Sequence, residues 1–186
     1  PQLNLSYNSG SGNGPFGFGW SLSIPAITRK TDKGLPQYRD ADESDVFMIS
    51  GAEDLVPVFK KDINGDWGRS ASGSHVIDEN IIDGYTVRRY RPRIEGSFAC
   101  IERWIRQADG EIHWRTLSSD NVLAIFGKDD NSRIADPFNT GRIFSWLLCE
   151  TRDDRGNVVI YEYKQEDSAL VDVTEPHERS RGDINS

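Results

Sequence analysis

Apolar and polar residues alternate with a period of two over much of the chain. Around residue 112, Ile112 and Trp114 occupy alternate positions and are flanked by polar residues that include His113. Successive side chains of a β-strand point to opposite faces, so the pattern predicts a strand with one buried and one solvated face. We therefore expect His113 to lie in solvent. Trp104, Trp114 and Trp146 fall on apolar faces, and we expect them to pack in the core.

Turn residues divide the chain into about ten short strands, with a turn signal about every 8–12 residues. Asn64-Gly65 is typical of a hairpin turn, because glycine and asparagine accept positive φ. Strands are predicted over residues 3–7, 21–30, 46–50, 55–60, 85–92, 98–107, 111–116, 121–126, 143–151 and 157–164. The fold class that follows is all-β, with many short antiparallel strands in hairpins, as in a β-sandwich, and little helix.

The residues that follow the last predicted hairpin are polar. We therefore predict one β domain over residues 1–164 and a polar linker or tail over residues 165–186. The chain begins inside an alternating segment, and no secretory signal is visible at its start. On that basis we expect the domain to be incomplete at both ends, as a part of a longer polypeptide.

A run of glycines and aromatic residues over residues 8–20, named the glycine ribbon from here on, interrupts the strand pattern. Its signature residues are Gly10, Gly12, Gly14, Pro15, Phe16, Gly17, Gly19 and Trp20. Glycine allows positive φ and close backbone approach, whereas proline stiffens the path. Because Phe16, Phe18 and Trp20 alternate with glycines, we expect an extended segment that lays its aromatic side chains onto the core. Truncation of Trp20 to alanine would then cost roughly 3–5 kcal/mol.

Composition narrows the class of protein. The 22 Lys and Arg against 30 Asp and Glu give the 186 residues a formal net charge of −8, and 36% of the residues are hydrophobic. That hydrophobic share is typical of a folded domain. Nucleic-acid binding rests mainly on Lys and Arg that contact phosphates, so net acidity argues against a nucleic-acid partner. No apolar run reaches the ~18 residues of a membrane-spanning helix.

Cysteine and histidine residues give no signature of catalysis or of a metal site. Cys100 and Cys149 are too few for a disulfide scaffold, and we predict two free, buried thiols. His75, His113 and His177 stand far apart, without cysteine or carboxylate at ligand spacing, so we expect no zinc site. A Cys/His nucleophile pair stays open, because such partners meet only in the fold.

One glycine motif matches a cofactor site formally. Gly12-x-Gly14-x-x-Gly17 has the spacing of a dinucleotide fingerprint, which requires a preceding strand and a following helix. Here Pro15 and Phe16 interrupt the motif, Phe18 follows it, and no helix is predicted after it. We expect no nucleotide there and no other cofactor.

Oxygen donors alternate at Asp62, Asn64 and Asp66, as hard cations such as Ca²⁺ require. A helical calcium loop also needs glycine at its sixth and glutamate at its twelfth position, where this chain has Trp67 and Gly73. A β-turn flanked by solvated aspartates is the simpler interpretation, and cation binding stays open.

Charged residues cluster elsewhere along the chain. Arginines crowd residues 88–93, and with Glu95 and Glu102 nearby they predict a cross-strand ladder of ion pairs. The acidic run over residues 40–45 is most simply a solvated loop. Arg181-Gly182-Asp183 spells the tripeptide that integrins bind, and a match this short leaves chance and function both open.

Several segments share, in the same order, the pattern of one protein family. They are residues 5–20, which include the glycine ribbon, and residues 34–38, 50–57, 85–93, 98–104, 126–128, 135–137 and 146–163. These segments resemble the N-terminal domain of the SpvB family, which includes bacterial virulence proteins and the B components of insecticidal toxin complexes. The final hairpin is also similar to Rhs/YD-type repeats, which makes an Rhs-like shell fragment the implied architecture.

The resemblance implies a structural role. In toxin complexes of this kind, the B component and a C component build a hollow β-rich shell around the toxic C-terminal segment of the C component. A β-propeller of the B component docks onto the pore-forming A component. The implied partners are the rest of the parent chain, a C-type effector and an A-type pore former, and the implied location is secreted or extracellular.

Three classes of function remain to be separated. We predict a non-catalytic scaffold domain of a toxin. A host receptor- or glycan-binding module, using exposed aromatic residues and the arginines of residues 88–93, is one alternative. The other is the N-terminal part of an actin ADP-ribosyltransferase, an activity that the family carries in a separate downstream domain. That chemistry needs a Glu-x-Glu pair, and the chain has none.

Overall fold

A computed structural model of the chain describes residues 4–10, 12–14, 16–50, 53–71, 73–93, 98–164, 172, 174 and 175. Within these ranges the secondary structure consists of short strands and two 3₁₀ helices, Asp40–Asp42 and Asp130–Ser132. The strands are β1 (Leu5–Tyr7), β2 (Asn13–Gly14), β3 (Gly17–Phe18), β4 (Trp20–Leu22), β5 (Ala26–Arg29), β6 (Phe47–Ile49), β7 (Glu53–Pro57), β8 (Glu79–Ile82), β9 (Tyr85–Pro92), β10 (Phe98–Arg106), β11 (Ile112–Ser118), β12 (Leu123–Phe126), β13 (Arg133–Asp136), β14 (Asn139–Arg152) and β15 (Val158–Ile160). The all-β prediction is confirmed.

An 11-stranded antiparallel sheet closes on itself as a barrel. Neighbouring strands follow the order β9, β10, β11, β12, β14, β5, β6, β7 and back to β9. β7 and β8 pair with the same side of β9, β7 with its end and β8 with its beginning. β13 and β15 both pair with the long β14. Closure leaves no free edge around the barrel, and it replaces the two stacked sheets of a sandwich.

The barrel interior is filled by aromatic side chains, as predicted for two of the three tryptophans. Trp114 and Trp146 are both 0% exposed there, whereas Trp104, 8% exposed, is buried on the outer face of the sheet beside His113. The ring of Phe47 lies 5.0 Å from that of Trp114 and 5.8 Å from that of Trp146. The indole nitrogen of Trp146 donates to the carbonyl oxygen of Ile112 at 2.9 Å, which satisfies a polar atom that is otherwise buried.

The glycine ribbon lies outside the barrel, which overturns the expected packing of its aromatic residues. β1 pairs with β4 alone, so Tyr7 and Trp20 face each other as a cross-strand pair with ring centroids 5.3 Å apart. Phe16, Phe18 and Trp20 are 48%, 63% and 45% exposed. All three are therefore exposed and lie outside the core, and the expected roughly 3–5 kcal/mol for truncating Trp20 loses its basis. Gly19 has φ of 76°, and a Cβ there would lie 2.7 Å from the ring of Tyr7.

Two strands of the sheet lie outside the segments predicted to be strands. They are β8, which precedes β9, and β13, which precedes the final hairpin. β8 pairs with the long β9, and β13 pairs with the long β14. These neighbours supply the backbone hydrogen bonds, although the local sequence pattern of β8 and β13 is too weak to predict a strand. The last described strand ends at Ile160, and the boundary at residue 164 stays a prediction. Across the described ranges, no helix is both long and apolar enough to cross a bilayer.

Candidate functional site

A buried arginine connects the barrel to the segment between β5 and β6, residues 30–46, named the acidic loop from here on. Arg29 ends β5, and its side chain is 0% exposed. Its Nη1 and Nη2 donate to the two carboxylate oxygens of Asp40 at 2.7 Å each, and Nη1 also donates to Asp45 at 2.7 Å. Its Nε donates to the carbonyl oxygen of Ile143 at 2.7 Å. The prediction of a solvated loop is wrong, because a buried guanidinium requires carboxylate partners.

A second buried arginine joins the same loop. Arg103 on β10 is 0% exposed, and its Nη2 donates to Glu43. Glu43 also accepts from Arg88 and from the hydroxyl of Tyr90, at 2.6 Å each. Its φ is 50°, a strained value for a residue with a side chain, which these three bonds hold in place. The guanidinium of Arg103 also lies 5.2 Å from the ring of Phe47, a cation–π contact.

Two groups of this cluster have shifted pKa values. Burial alone would raise the pKa of Asp45, but backbone N–H donors of Gln37 and Tyr38 and the charge of Arg29 hold it below its usual value. Burial raises the pKa of Tyr90. Neither of these two groups titrates near neutral pH, so both keep the protonation state in which their hydrogen bonds fasten the acidic loop to the barrel.

Three of the four arginines of residues 88–93 are engaged in ion pairs, namely Arg88, Arg89 and Arg93. Arg88 contacts Glu43 and also Glu79 at 3.0 Å, on the neighbouring strand. Arg89 lies 3.9 Å from Glu102, which faces it across β9 and β10. The ladder predicted with Glu102 is therefore present, and Glu95 lies outside the described residues.

A cleft of about 380 Å³ opens on the outside of the barrel, across β9 to β12 and β14. It is named the basic cleft, and it is lined by Tyr85, Arg106, Glu111, His113, Arg115, Leu123, Ile125, Lys128 and Arg152. His113 is 6% exposed, so the prediction that it lies in solvent is wrong. The rings of Tyr85 and Trp104 cover it from neighbouring strands, at centroid distances of 5.4 and 5.9 Å.

Hydrogen bonding and burial keep His113 neutral. Nε of Arg115 donates to Nε2 of His113 at 3.1 Å, which leaves the imidazole proton on Nδ1. Burial, and then the charges of Arg115 and Arg133, lower the pKa of His113 to about 3. A neutral imidazole with so low a pKa is a poor general base at neutral pH, and here it serves as an acceptor that orients Arg115.

The two cysteines are free thiols, Cys149 buried and Cys100 half-buried. Their sulfur atoms donate to the carbonyl oxygen of Ile125 at 3.2 Å and to Glu102 at 3.5 Å. Burial raises the pKa of both thiols. In the part of the chain that the structure describes, neither sulfur is hydrogen-bonded to a histidine, so no Cys/His pair forms there. His177 lies outside the described residues.

The segment around Asn64 forms a turn closed by its own aspartate. The carboxylate of Asp62 accepts from the backbone N–H of Asn64 at 2.9 Å and of Asp66 at 3.0 Å. The β-turn interpretation is confirmed, since the backbone N–H of Asp62 also donates to Asp66. Over the described ranges, no three His, Cys, Asp or Glu residues are arranged to hold a metal ion. Arg181-Gly182-Asp183 lies outside them.

Comparison with known families decides the relationship. The family model described as Salmonella virulence plasmid 65kDa B protein, SpvB, matches residues 1–186. The chain belongs to the SpvB family. Curated relatives are the mono(ADP-ribosyl)transferases SpvB of Salmonella typhimurium and Salmonella dublin, both 36% identical over 173 residues. This SpvB-family chain covers 28% of their length, and 93% of it is matched.

Solved structures place the SpvB-family barrel in two settings. The N-terminal domain of the effector SpvB from Salmonella typhimurium strain LT2 has a TM-score of 0.77 and 34% identity, over 95% of this chain and 53% of that one. The Photorhabdus luminescens Tc holotoxin pore has a TM-score of 0.76 and 30% identity, over 97% of this chain and 8% of that one. A TcdB2-TccC3-Cdc42 crystal structure has a TM-score of 0.75 and 31% identity, over 94% and 8%.

Sequence reasoning missed the arginine cluster, although a signal was present. Ile27 and Arg29 lie two residues apart on β5, so their side chains point to the same face of the strand. If Ile27 points into the barrel, Arg29 must point into it as well. An inward arginine needs nearby carboxylates, and the acidic loop that follows directly supplies them.

Proposed function

We propose that this SpvB-family chain is a non-catalytic scaffold domain of a bacterial toxin or virulence protein. In this role the barrel is one part of a β-rich shell that encloses and delivers a toxic effector segment. The observation that carries the proposal is the likeness of nearly the whole barrel to parts of Tc toxin assemblies, at TM-scores of 0.75 and 0.76. The filled interior supports it, because the charged and aromatic groups inside serve packing.

The proposed partners are the rest of the parent chain, a C-type effector and an A-type pore former, and the proposed location is outside the bacterial cell. The signature glycines of the ribbon are proposed to shape its turns. ADP-ribosyl transfer, the activity in the name of the curated relatives, is proposed to lie outside these residues, since the chain covers 28% of those proteins.

The test is limited proteolysis of the complete gene product that contains this chain, with and without its candidate effector partner. If the two form a shell, the C-terminal segment of the effector becomes resistant to protease only in the purified complex. The matched control mixes the two proteins after each has folded separately. An effector segment that is cleaved equally fast in complex and control would overturn the shell role.

A host-binding module is the second candidate, and the exposure of the ribbon aromatics favours it. Phe18 is 63% exposed and Trp20 is 45% exposed, so both are accessible to a ligand. Tryptophan fluorescence of the 186-residue chain during titration with host glycans tests this role. A ligand-dependent change that Trp20→Phe abolishes would favour host binding over the scaffold alone.

A further inference from the structure

The guanidinium of Arg115 is held in place by Trp104 and His113, and its terminal nitrogens, Nη1 and Nη2, take no part in these contacts. Its guanidinium carbon lies 3.5 Å from the ring centroid of Trp104, and its Nε is bonded to His113. In the described residues, neither Nη1 nor Nη2 makes a hydrogen bond, and no carboxylate lies within ion-pair distance of Arg115. A guanidinium fixed by stacking and by its Nε presents the two-nitrogen edge that matches a carboxylate.

The other charges of the basic cleft leave it electropositive. Arg106 is paired with Glu111 and with Asp109, the latter at 2.9 Å. Lys128 and Arg152 share one carboxylate, that of Glu150. Of the nine residues that line the basic cleft, four are cations and Glu111 is the one acid, so the lining itself carries an excess of cations on a chain whose net charge is −8. Asp109 and Glu150 adjoin these cations, and Glu102 faces Arg115 across β10 and β11 beyond ion-pair distance. Such a local reversal of sign attracts anions and disfavours cations.

Apolar side chains adjoin these cations. Leu123 and Ile125 of β12 line the basic cleft. Arg115 and Leu123 also line a neighbouring cleft of about 250 Å³, whose wall includes Leu117. Arg115 therefore stands between two adjoining depressions, one rich in cations and one mostly apolar. An extended ligand with an anionic group and an apolar neighbour fits this arrangement better than a small ion does.

We propose that the basic cleft binds an acidic peptide segment of a partner protein, with an Asp or Glu carboxylate held by Nη1 and Nη2 of Arg115. Lys128 and Arg152 attract the segment, and an apolar residue beside the carboxylate packs on Leu123. The neutral His113 orients the guanidinium by accepting from Nε. This site goes beyond the scaffold role and does not depend on it.

The test is fluorescence anisotropy with two labelled peptides, one alternating Glu with Leu and Ser, the other with Gln in place of every Glu. The 186-residue chain binds the Glu peptide at least about 10-fold more tightly than the Gln peptide at low ionic strength. Arg115→Gln weakens binding of the Glu peptide by about 10-fold or more. Arg115→Lys falls between, since it keeps the charge and loses the planar two-nitrogen edge.

Arg155→Gln is the matched control, because Arg155 is exposed in the turn of the final hairpin and the substitution removes the same charge. It is expected to leave binding unchanged. If Arg115→Gln does not fold, Lys128→Gln takes its place at the exposed rim, where a several-fold weakening is expected. Equal binding of the two peptides, or equal effects of cleft and control substitutions, overturns the proposal. Competition by inorganic phosphate without binding of the Glu peptide identifies a small-anion site and also overturns it.

Discussion

Arg29 and Asp40 face each other through two hydrogen bonds of 2.7 Å, from Nη1 to Oδ1 and from Nη2 to Oδ2. The arginine is fully buried at the end of β5, and the aspartate lies 11 residues later in the acidic loop. A buried charge that loses its partner is strongly destabilising, so this pair couples the position of the loop to the stability of the barrel.

Replacing Arg29 with glutamine tests this coupling. Arg29→Gln leaves Asp40 and Asp45 without their cation, and we expect the free energy of unfolding to fall by about 3–5 kcal/mol. Urea denaturation followed by circular dichroism measures the loss. Arg155→Gln removes the same charge from an exposed turn and is expected to stay within about 0.5 kcal/mol of the parent. A loss for Arg29→Gln as small as that of the control would contradict the role of the pair.

Acid should release the acidic loop through Asp45. Its folded-state pKa is lowered from the usual 3.8, so its stabilising contribution is present above that value. The contribution is lost as pH falls below 3.8 and through the lower folded-state pKa, because the unfolded chain binds the proton more readily. Urea midpoints measured against pH should fall over this range. Asp45→Asn should be less stable at neutral pH and should lose less below pH 3.8, whereas two parallel profiles would exclude this contribution of Asp45.

His113 should produce a separate effect at higher pH. Burial lowers its folded-state pKa from 6.5 to about 3, so the unfolded chain takes up a proton between these values and the folded chain does not. Stability therefore rises with pH across this window. His113→Gln still offers Arg115 an acceptor but cannot ionise, and we expect it to flatten the profile between about pH 4.5 and 6.5, where Asp45 contributes little. Nitrogen NMR of the imidazole that shows a protonated His113 at about pH 5 would contradict the prediction.

His113 also shows where local sequence patterns stop being informative. Alternation placed Ile112 and Trp114 on the buried face correctly, because period two follows from strand geometry alone. It misplaced His113, because the opposite face is covered by Tyr85 and Trp104, which come from neighbouring strands. The cover over His113 is set by the cross-strand register of β9, β10 and β11, which the pattern of a single strand does not reveal.

The prediction for Trp20 was wrong in the opposite sense, because Trp20 was expected to be buried and is exposed. A large aromatic residue in a glycine-rich segment was expected to fill a core, but in the described residues β4 pairs with β1 in a separate two-stranded sheet. The sequence did not predict the basic cleft either, because the cations on β10, β11 and β14 come together only across strands. Alternation therefore predicted most strands and the burial of Trp114 and Trp146, whereas barrel closure, the exposure of Trp20 and the basic cleft required the structure.

Gly127 offers a test of the tightest contact in the core. Its φ is +65°, and a Cβ there would lie 2.2 Å from Cδ1 of Trp146, whose side chain is 0% exposed. Gly156 shares the positive φ, at +86°, but a Cβ there would meet nothing within 4 Å. Gly156→Ala therefore isolates the backbone strain, about 1–2 kcal/mol. Gly127→Ala adds a clash with the buried indole of Trp146, which can move only at a cost of about 1–3 kcal/mol more.

The two glycine variants are compared by urea denaturation under identical conditions. We expect Gly127→Ala to have the lower midpoint, with an altered near-ultraviolet circular dichroism signal because Trp146 must move. Gly156→Ala should keep the parental signal, since its turn is exposed and far from the core aromatics. Trp146 has little freedom to shift, because its indole nitrogen is bonded to Ile112 at 2.9 Å. Equal midpoints for the two variants would mean that the barrel yields around Trp146, and that its core is packed less tightly than these distances imply.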